Sequence, residues 1–159
     1  MWVQFNYSGE VDIPFDTLKQ NPELILRKLP RVNSITRMDE DDFRVVLKPY
    51  ALHKALVITA VGHVNLSVVG DSIVWSESPH HSNTECNGKI VGTATRNQTG
   101  AVRIEGTIHL NHPWINSFIW PFTKPIVEAL GIQFINEFVD NFRNEDYNNR
   151  IPEVVQNGN

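Results

Sequence analysis

Polar and apolar residues alternate over the first thirteen positions. Val3, Phe5, Tyr7, Val11 and Ile13 share one side, while Gln4, Asn6, Ser8, Glu10 and Asp12 share the other. A period of two with this polarity split predicts a half-buried strand. Pro14 stops it. "FDTLKQ" and "NPELILRKL" then predict two short helices, the second with Asn21 as its N-cap, Pro22 at its first position and Pro30 beyond its end. Extended segments follow. "VNSITRM" and "FRVVLK" flank the acidic turn "DEDD", and Pro49 and Tyr50 break the run. "KALVITAVGHVNL" predicts one long strand with Leu56, Ile58, Ala60, Gly62, Val64 and Leu66 on one face. "IVWSES", "KIVGTATR" and "AVRIEGTIHL" predict three more. The last carries Val102, Ile104, Gly106, Ile108 and Leu110 against Arg103, Glu105, Thr107 and His109. Turns this short join antiparallel neighbours, because parallel strands need long crossovers.

At Thr123 the period changes. Ile126, Leu130, Phe134, Phe138 and Phe142 recur every fourth residue, and Val127, Ile135 and Val139 widen the stripe. This spacing predicts a long amphipathic helix. Just before it, "HPWINSFIWPF" places Trp114, Phe118 and Phe122 four residues apart with Ile115 and Ile119 beside them. We read it as a short helical turn that starts at Pro113 and is interrupted at Pro121. Its aromatics are expected in the core and at a pocket rim. A membrane contact would normally add Lys or Arg, yet Asn116 and Ser117 are the only polar residues between the two prolines.

The sequence of 159 residues fits one domain with a sizeable core. Hydrophobic residues make up 41% and charged residues 20%, so the chain can fold without staples. The net charge is −4 and the cations are dispersed, which argues against nucleic acid and against an anionic membrane surface. Cys86 is the single cysteine, so no internal disulfide is expected. No run of apolar residues is long enough to span a bilayer, and the first residues lack a secretory leader pattern. We therefore expect a cytoplasmic protein, in which the glycosylation triplets at Asn65 and Asn97 carry no weight.

The order strand, two short helices, six strands, long helix resembles the START-like helix-grip (SRPBCC-type) superfamily. The resemblance covers residues 1–145. It rests on that order, on "LPRVNSITRMDEDDFRVVL" after the short helices, and on the long C-terminal helix. It implies an α+β helix-grip fold, in which a curved seven-stranded antiparallel sheet wraps the helix around a cavity. It also implies binding of a small hydrophobic or amphipathic, lipid-like molecule there. Residues 146–159 form a polar tail outside the domain, expected to be flexible.

Gly62, Gly92 and Gly106 interrupt good strands, Ala60 and Ala94 face inward with them, and Gly131 lies within the helix. Small residues on both walls leave volume. Alternatively they admit aromatics such as Phe134 and Phe138, which would fill the space. The candidate ligand-binding residues are Ile58, Ala60, Gly62, Val64, Trp75, Ile90, Ala94, Ile104, Gly106, Ile108, Trp114, Phe118, Leu130, Phe134 and Phe138.

Catalytic chemistry is not legible, and no catalytic residue is named. Glu77, Arg96 and His63 would be the candidates only if the strand registers slipped by one. His63 is expected outward. His80, His81, Glu85 and Cys86 lack the second ligand pair of a zinc site, and the "DEDD" turn lacks calcium-loop spacing, so no metal and no cofactor is expected. Three functions remain open: a non-catalytic binder or carrier of a hydrophobic ligand, a cyclase- or dehydratase-type enzyme using the same cavity, and an interaction module with a filled core. Transient membrane contact would fit a lipid carrier. Oligomeric state is not readable.

Overall fold

The structure is a computed structural model that describes residues 1–53, 56–78, 86–113, 115–143 and 154–156. Strand β1 (Trp2–Val11) leads into helices α1 (Phe15–Gln20) and α2 (Leu24–Arg27). Strands β2 (Val32–Arg37), β3 (Asp42–Leu47), β4 (Tyr50–His53), β5 (Leu56–Ile58), β6 (Val61–Val69), β7 (Ser72–Glu77), β8 (Gly88–Arg96) and β9 (Val102–Asn111) follow. Helix α3 (Trp120–Asn141) and strand β10 (Val154–Gln156) complete the chain.

One curved sheet has the order β1-β9-β8-β7-β6-β3-β2-β10. Its first seven strands are antiparallel, as the short turns require. The eighth comes from the polar tail, where β10 pairs in parallel with β2, Val154 opposite Ile35. The sheet thus has eight strands rather than seven. A second departure is the stretch expected as one long strand. It divides at Thr59–Ala60, and β5 turns away to pair with β4 in a separate two-stranded ribbon, Tyr50 opposite Ile58.

The alternations decide which face is buried. Tyr7, Val11, Val102 and Ile104 are buried. Arg103 and Glu105 face out and lie 3.7 Å apart. Against the buried face lies α3, with Phe138 and Phe142 fully packed. Gly9 on β1 lets the helix come close, since an added Cβ would meet Val139 Cγ1 at 3.0 Å.

Two local expectations change. Asn21 does not cap α2 with its side chain. It closes α1, its N–H donating to Thr17 O at 3.2 Å, and its own carbonyl accepts from Leu24 N–H at 3.0 Å. Pro121 does not interrupt a helix but stands in the first turn of α3, where a missing N–H costs nothing. The turn before it is organised by Asn116. Its Oδ1 accepts from the N–H of Phe118 (3.0 Å) and Ile119 (3.1 Å), and its Nδ2 donates to Pro113 O (2.8 Å). This turn buries Ile115 but leaves Phe118 88% exposed and outside the wall of the cavity described below. Trp114 lies outside the described residues.

Candidate functional site

A tie across the sheet separates packed core from open space. In register, Tyr7 on β1 faces Gly106 on β9, which faces Gly92 on β8, which faces Trp75 on β7. The two glycines leave room for the large side chains to lie over the sheet and meet. Trp75 Nε1 donates to Tyr7 Oη at 2.7 Å, and Tyr7 Oη donates to Val91 O at 2.9 Å. A Cβ at Gly92 or Gly106 would overlap the Tyr7 hydroxyl. Phe138 meets the Tyr7 ring edge-on with centroids 5.3 Å apart. Burial pushes the Tyr7 phenol well above its usual pKa, so it stays a neutral donor.

Beyond this tie, toward the N-terminal half of α3, the walls part. A cavity of about 130 Å³, counted as space open to the centre of a water-sized sphere, lies between sheet and helix and continues into solvent. One water needs ~10–15 Å³ by that measure, and a dry apolar cavity of ~150 Å³ can hold a benzene-sized guest. The sheet contributes Phe5, Val45, Leu47, Ala60, Val64 and Ile108, among others. The ribbon contributes Tyr50 and Ile58, and α3 contributes Val127, Leu130, Gly131, Phe134 and Ile135. At the sheet's open end Asn87 joins β6 to β8. Its Oδ1 accepts from Val61 N–H at 2.8 Å, and a Cβ at Gly62 would press on Gly88 O at 3.0 Å.

Of the residues named from sequence, Ile58, Ala60, Gly62, Val64, Ile90, Ile108, Leu130 and Phe134 line this cavity. Trp75, Ala94, Ile104, Gly106 and Phe138 do not. They lie on the tie or in the core beyond it, where Ala94 faces both Ile73 and Ile104. Gly131 borders the cavity without enlarging it, because the ring of Phe5 occupies the place its side chain would take. Phe5, Val45, Leu47, Tyr50 and Val127 are wall residues beyond those named. Phe5 and Val127 were signalled by their periodicity, while Val45 and Leu47 fell in a segment read as extended without an assigned face. Tyr50 was not signalled, because the ribbon that carries it was read as a break.

The charged candidates stay out of the cavity. Arg96 reaches Asp16 at 2.7 Å and stacks on Phe15. Glu77 is held by Lys89 at 3.2 Å. His63 is buried, yet it lies in the β6 alternation between two wall residues, on the face turned away from the cavity, and is not itself in the wall. Lys48, Tyr50, Lys89 and His109 are the lining residues with polar side chains. The His109 ring is engaged with Thr107 Oγ1 at 2.9 Å, and the Lys89 ammonium also sits 4.8 Å from the centre of the Trp2 ring. Among the described residues no three metal-binding side chains converge; His80, His81 and Glu85 lie outside them. No helix among the described residues is long and apolar enough to cross a membrane.

No family model matches the chain, and no curated protein sequence matches it. Solved structures do. A protein from Thermus thermophilus is similar over 93% of this chain and 98% of its own, with a TM-score of 0.58 at 11% identity. Human StAR-related lipid transfer protein 5 is similar over 89% of this chain and 77% of its own, with a TM-score of 0.53 at 10% identity. The Zhui aromatase/cyclase from a Streptomyces species is similar over 90% and 94%, with a TM-score of 0.51 at 10% identity. Identities this low speak for the fold alone. With the curved sheet, the long C-terminal helix and the cavity between them, they show that this chain has the START-like helix-grip fold.

Proposed function

We propose that this chain binds a small hydrophobic or amphipathic, lipid-like molecule in the cavity between sheet and α3, as a non-catalytic binder or carrier. The observation that carries the reading is the wall itself. It is apolar almost throughout, and two of its four polar side chains are engaged elsewhere. Burying a ligand there removes apolar area from water, worth up to ~0.8 kcal/mol per methylene before the costs of association. The solved lipid transfer protein of the same fold is in keeping with this reading. A cyclase- or dehydratase-type reaction would need an acid or base inside the cavity; Glu77, Arg96 and His63 do not line it, and of the ionisable residues that do, Lys89 is paired with Glu77 and His109 is engaged with Thr107. An interaction module with a filled core is disfavoured by the cavity's volume.

The test is uptake of Nile red together with native mass spectrometry of the purified chain. Val64 is buried in the wall. Val64→Phe should abolish dye uptake with little loss of melting temperature, because the larger ring enters the cavity. In a filled core the same change would cost ~1–3 kcal/mol of overpacking. No dye uptake and no retained ligand in the unsubstituted protein would overturn the reading.

A further inference from the structure

The cavity's interior offers no partner for a charge, so any polar group of a ligand has to stay at the mouth. Four polar side chains border the space. Lys89 is committed to Glu77 and to the Trp2 ring, and His109 to Thr107. Lys48 and Tyr50 remain. They flank Pro49 on the stretch that leaves the sheet for the β4–β5 ribbon, and Lys48 is solvent-exposed. Arg31 comes to the same place. Its carbonyl accepts from Lys48 N–H at 2.6 Å, its Nη2 donates to Pro49 O at 2.7 Å, and its guanidinium carbon lies 4.2 Å from the centre of the Tyr50 ring.

Arg31 is also the one described non-glycine residue with a left-handed backbone, at φ 57°. L-residues other than glycine adopt that region at an energetic cost, and such outliers collect at functional sites. Two cationic residues and a phenol thus adjoin at one border of the apolar cavity, Lys48 and Tyr50 in its lining and Arg31 packed on the Tyr50 ring. Among the described residues neither Arg31 nor Lys48 takes part in an ion pair. The acid facing Tyr50 from the helix is Glu137, and it accepts from Gln133 Nε2 at 3.2 Å. Two cations against the one carboxylate of Glu137 leave this border of the cavity a formal charge of +1 in a chain of net charge −4.

Resting on the binding reading above, we infer that the ligand is an amphiphile with a single carboxylate head. The apolar part lies in the cavity, and the head meets Arg31, Lys48 and the Tyr50 hydroxyl at the mouth. The planar guanidinium matches the two oxygens of a carboxylate, and an ion-assisted hydrogen bond is stronger than a neutral one. A carboxylate drawn deeper would lose its hydration with nothing to replace it.

The experiment is calorimetric titration of the full chain with decanoate, 1-decanol and decyl phosphate at matched pH and low salt. Decanoate should bind at least tenfold more tightly than 1-decanol, and added salt should narrow that gap. Arg31→Gly keeps the left-handed backbone accessible while removing the guanidinium. Combined with Lys48→Gln, it should erase the preference, bringing decanoate affinity down to that of 1-decanol in the same variant. Equal binding of acid and alcohol by the unsubstituted protein would overturn the carboxylate assignment and leave the binding reading standing. Binding of none of the three would overturn both. Tighter binding of decyl phosphate than of decanoate, lost in the same double variant, would replace carboxylate by phosphate and so refute the inference as stated. Binding of the alcohol lost along with that of the acid would show that the variant had damaged the cavity. Lys48→Gln alone must then lower decanoate affinity selectively, or the inference fails.

Discussion

Helix propensity and packing oppose each other at Gly131. The residue lies within α3, where alanine is favoured over glycine by up to ~1 kcal/mol. Yet an added Cβ would stand 2.6 Å from both Cδ1 and Cζ of Phe5, against the ~3.5–4.0 Å at which carbon atoms rest. Either α3 and β1 separate, or the Phe5 ring turns aside. Overpacking of this kind costs ~1–3 kcal/mol, so Gly131→Ala should come out between neutral and about 2 kcal/mol destabilising. For a chain of this size each kcal/mol moves the melting temperature by ~2–4 °C. Phe5 borders the cavity, which gives its ring a place to go, so Nile red uptake should fall as well. The decisive arm is a double-mutant cycle. In a Phe5→Ala background the clash is gone, and Gly131→Ala should now stabilise by roughly 1 kcal/mol. A reversal of sign between backgrounds is the expected result. A rise in melting temperature for Gly131→Ala alone, of the same size in both backgrounds, would refute the packing argument.

Tyr7→Phe should cost about 2 kcal/mol in chemical denaturation, because it strands both the Trp75 indole N–H and the Val91 carbonyl; a neutral effect would mean the tie is not made. Lys28 is 1% exposed, and burial, with the nearby charge of Arg27, holds its pKa below the usual lysine value. A folded pKa below the unfolded one penalises the folded state in full below the folded pKa, and the penalty fades as pH rises from there toward the unfolded value near ~10.4. Lys28→Met should therefore stabilise at pH 7 and stabilise less at pH 10; equal gains at both would contradict this. Phe122 is 80% exposed, so Phe122→Ser should change stability by less than ~0.5 kcal/mol. A larger loss in a thermal melt would show that Phe122 packs against something.

The period-two strands β1 and β9 were legible because each leaves polar residues of one face open to water. On β1 and β9 the polar residues sit where the burial later places the exterior, and short turns left only antiparallel pairing. The β4–β5 ribbon was not legible. Its residues continue the alternation into β6, and only the path of the chain, with Leu47 N–H donating to Ala60 O at 3.0 Å, marks where the main sheet resumes. β10 was hidden for a different reason. A three-residue parallel edge strand in a polar tail depends on a neighbour, β2, far away in sequence and carries no periodic signal of its own. In α3 the four-residue stripe ran too far toward the N-terminus. Ile126 satisfies the spacing but is exposed, because at that turn the buried side of the helix centres on its neighbour Val127.

The cavity was only half legible because a small residue has two structural meanings that look alike in sequence. Gly92, Gly106 and Gly131 each make room that a neighbour in the fold takes up: Tyr7 over the first two, Phe5 against the third. Ala60 borders the open space, whereas the room at Gly62 is taken by the backbone of Gly88. The difference lies in cross-strand register. Tyr7, Gly106, Gly92 and Trp75 fall in one row across four strands, so two long polar-tipped aromatics meet over two glycines and close the sheet's interior on that side. The next row toward the open end, Phe5, Ile108 and Ile90, has no glycine between its members and no such bridge, and there the cavity begins. Trp75, Ala94, Ile104 and Phe138, grouped in sequence with residues of the cavity wall, share its face of each element. They lie one or two rows along it from the cavity, a distance that periodicity cannot measure because the pattern of faces is the same on both sides of the tie.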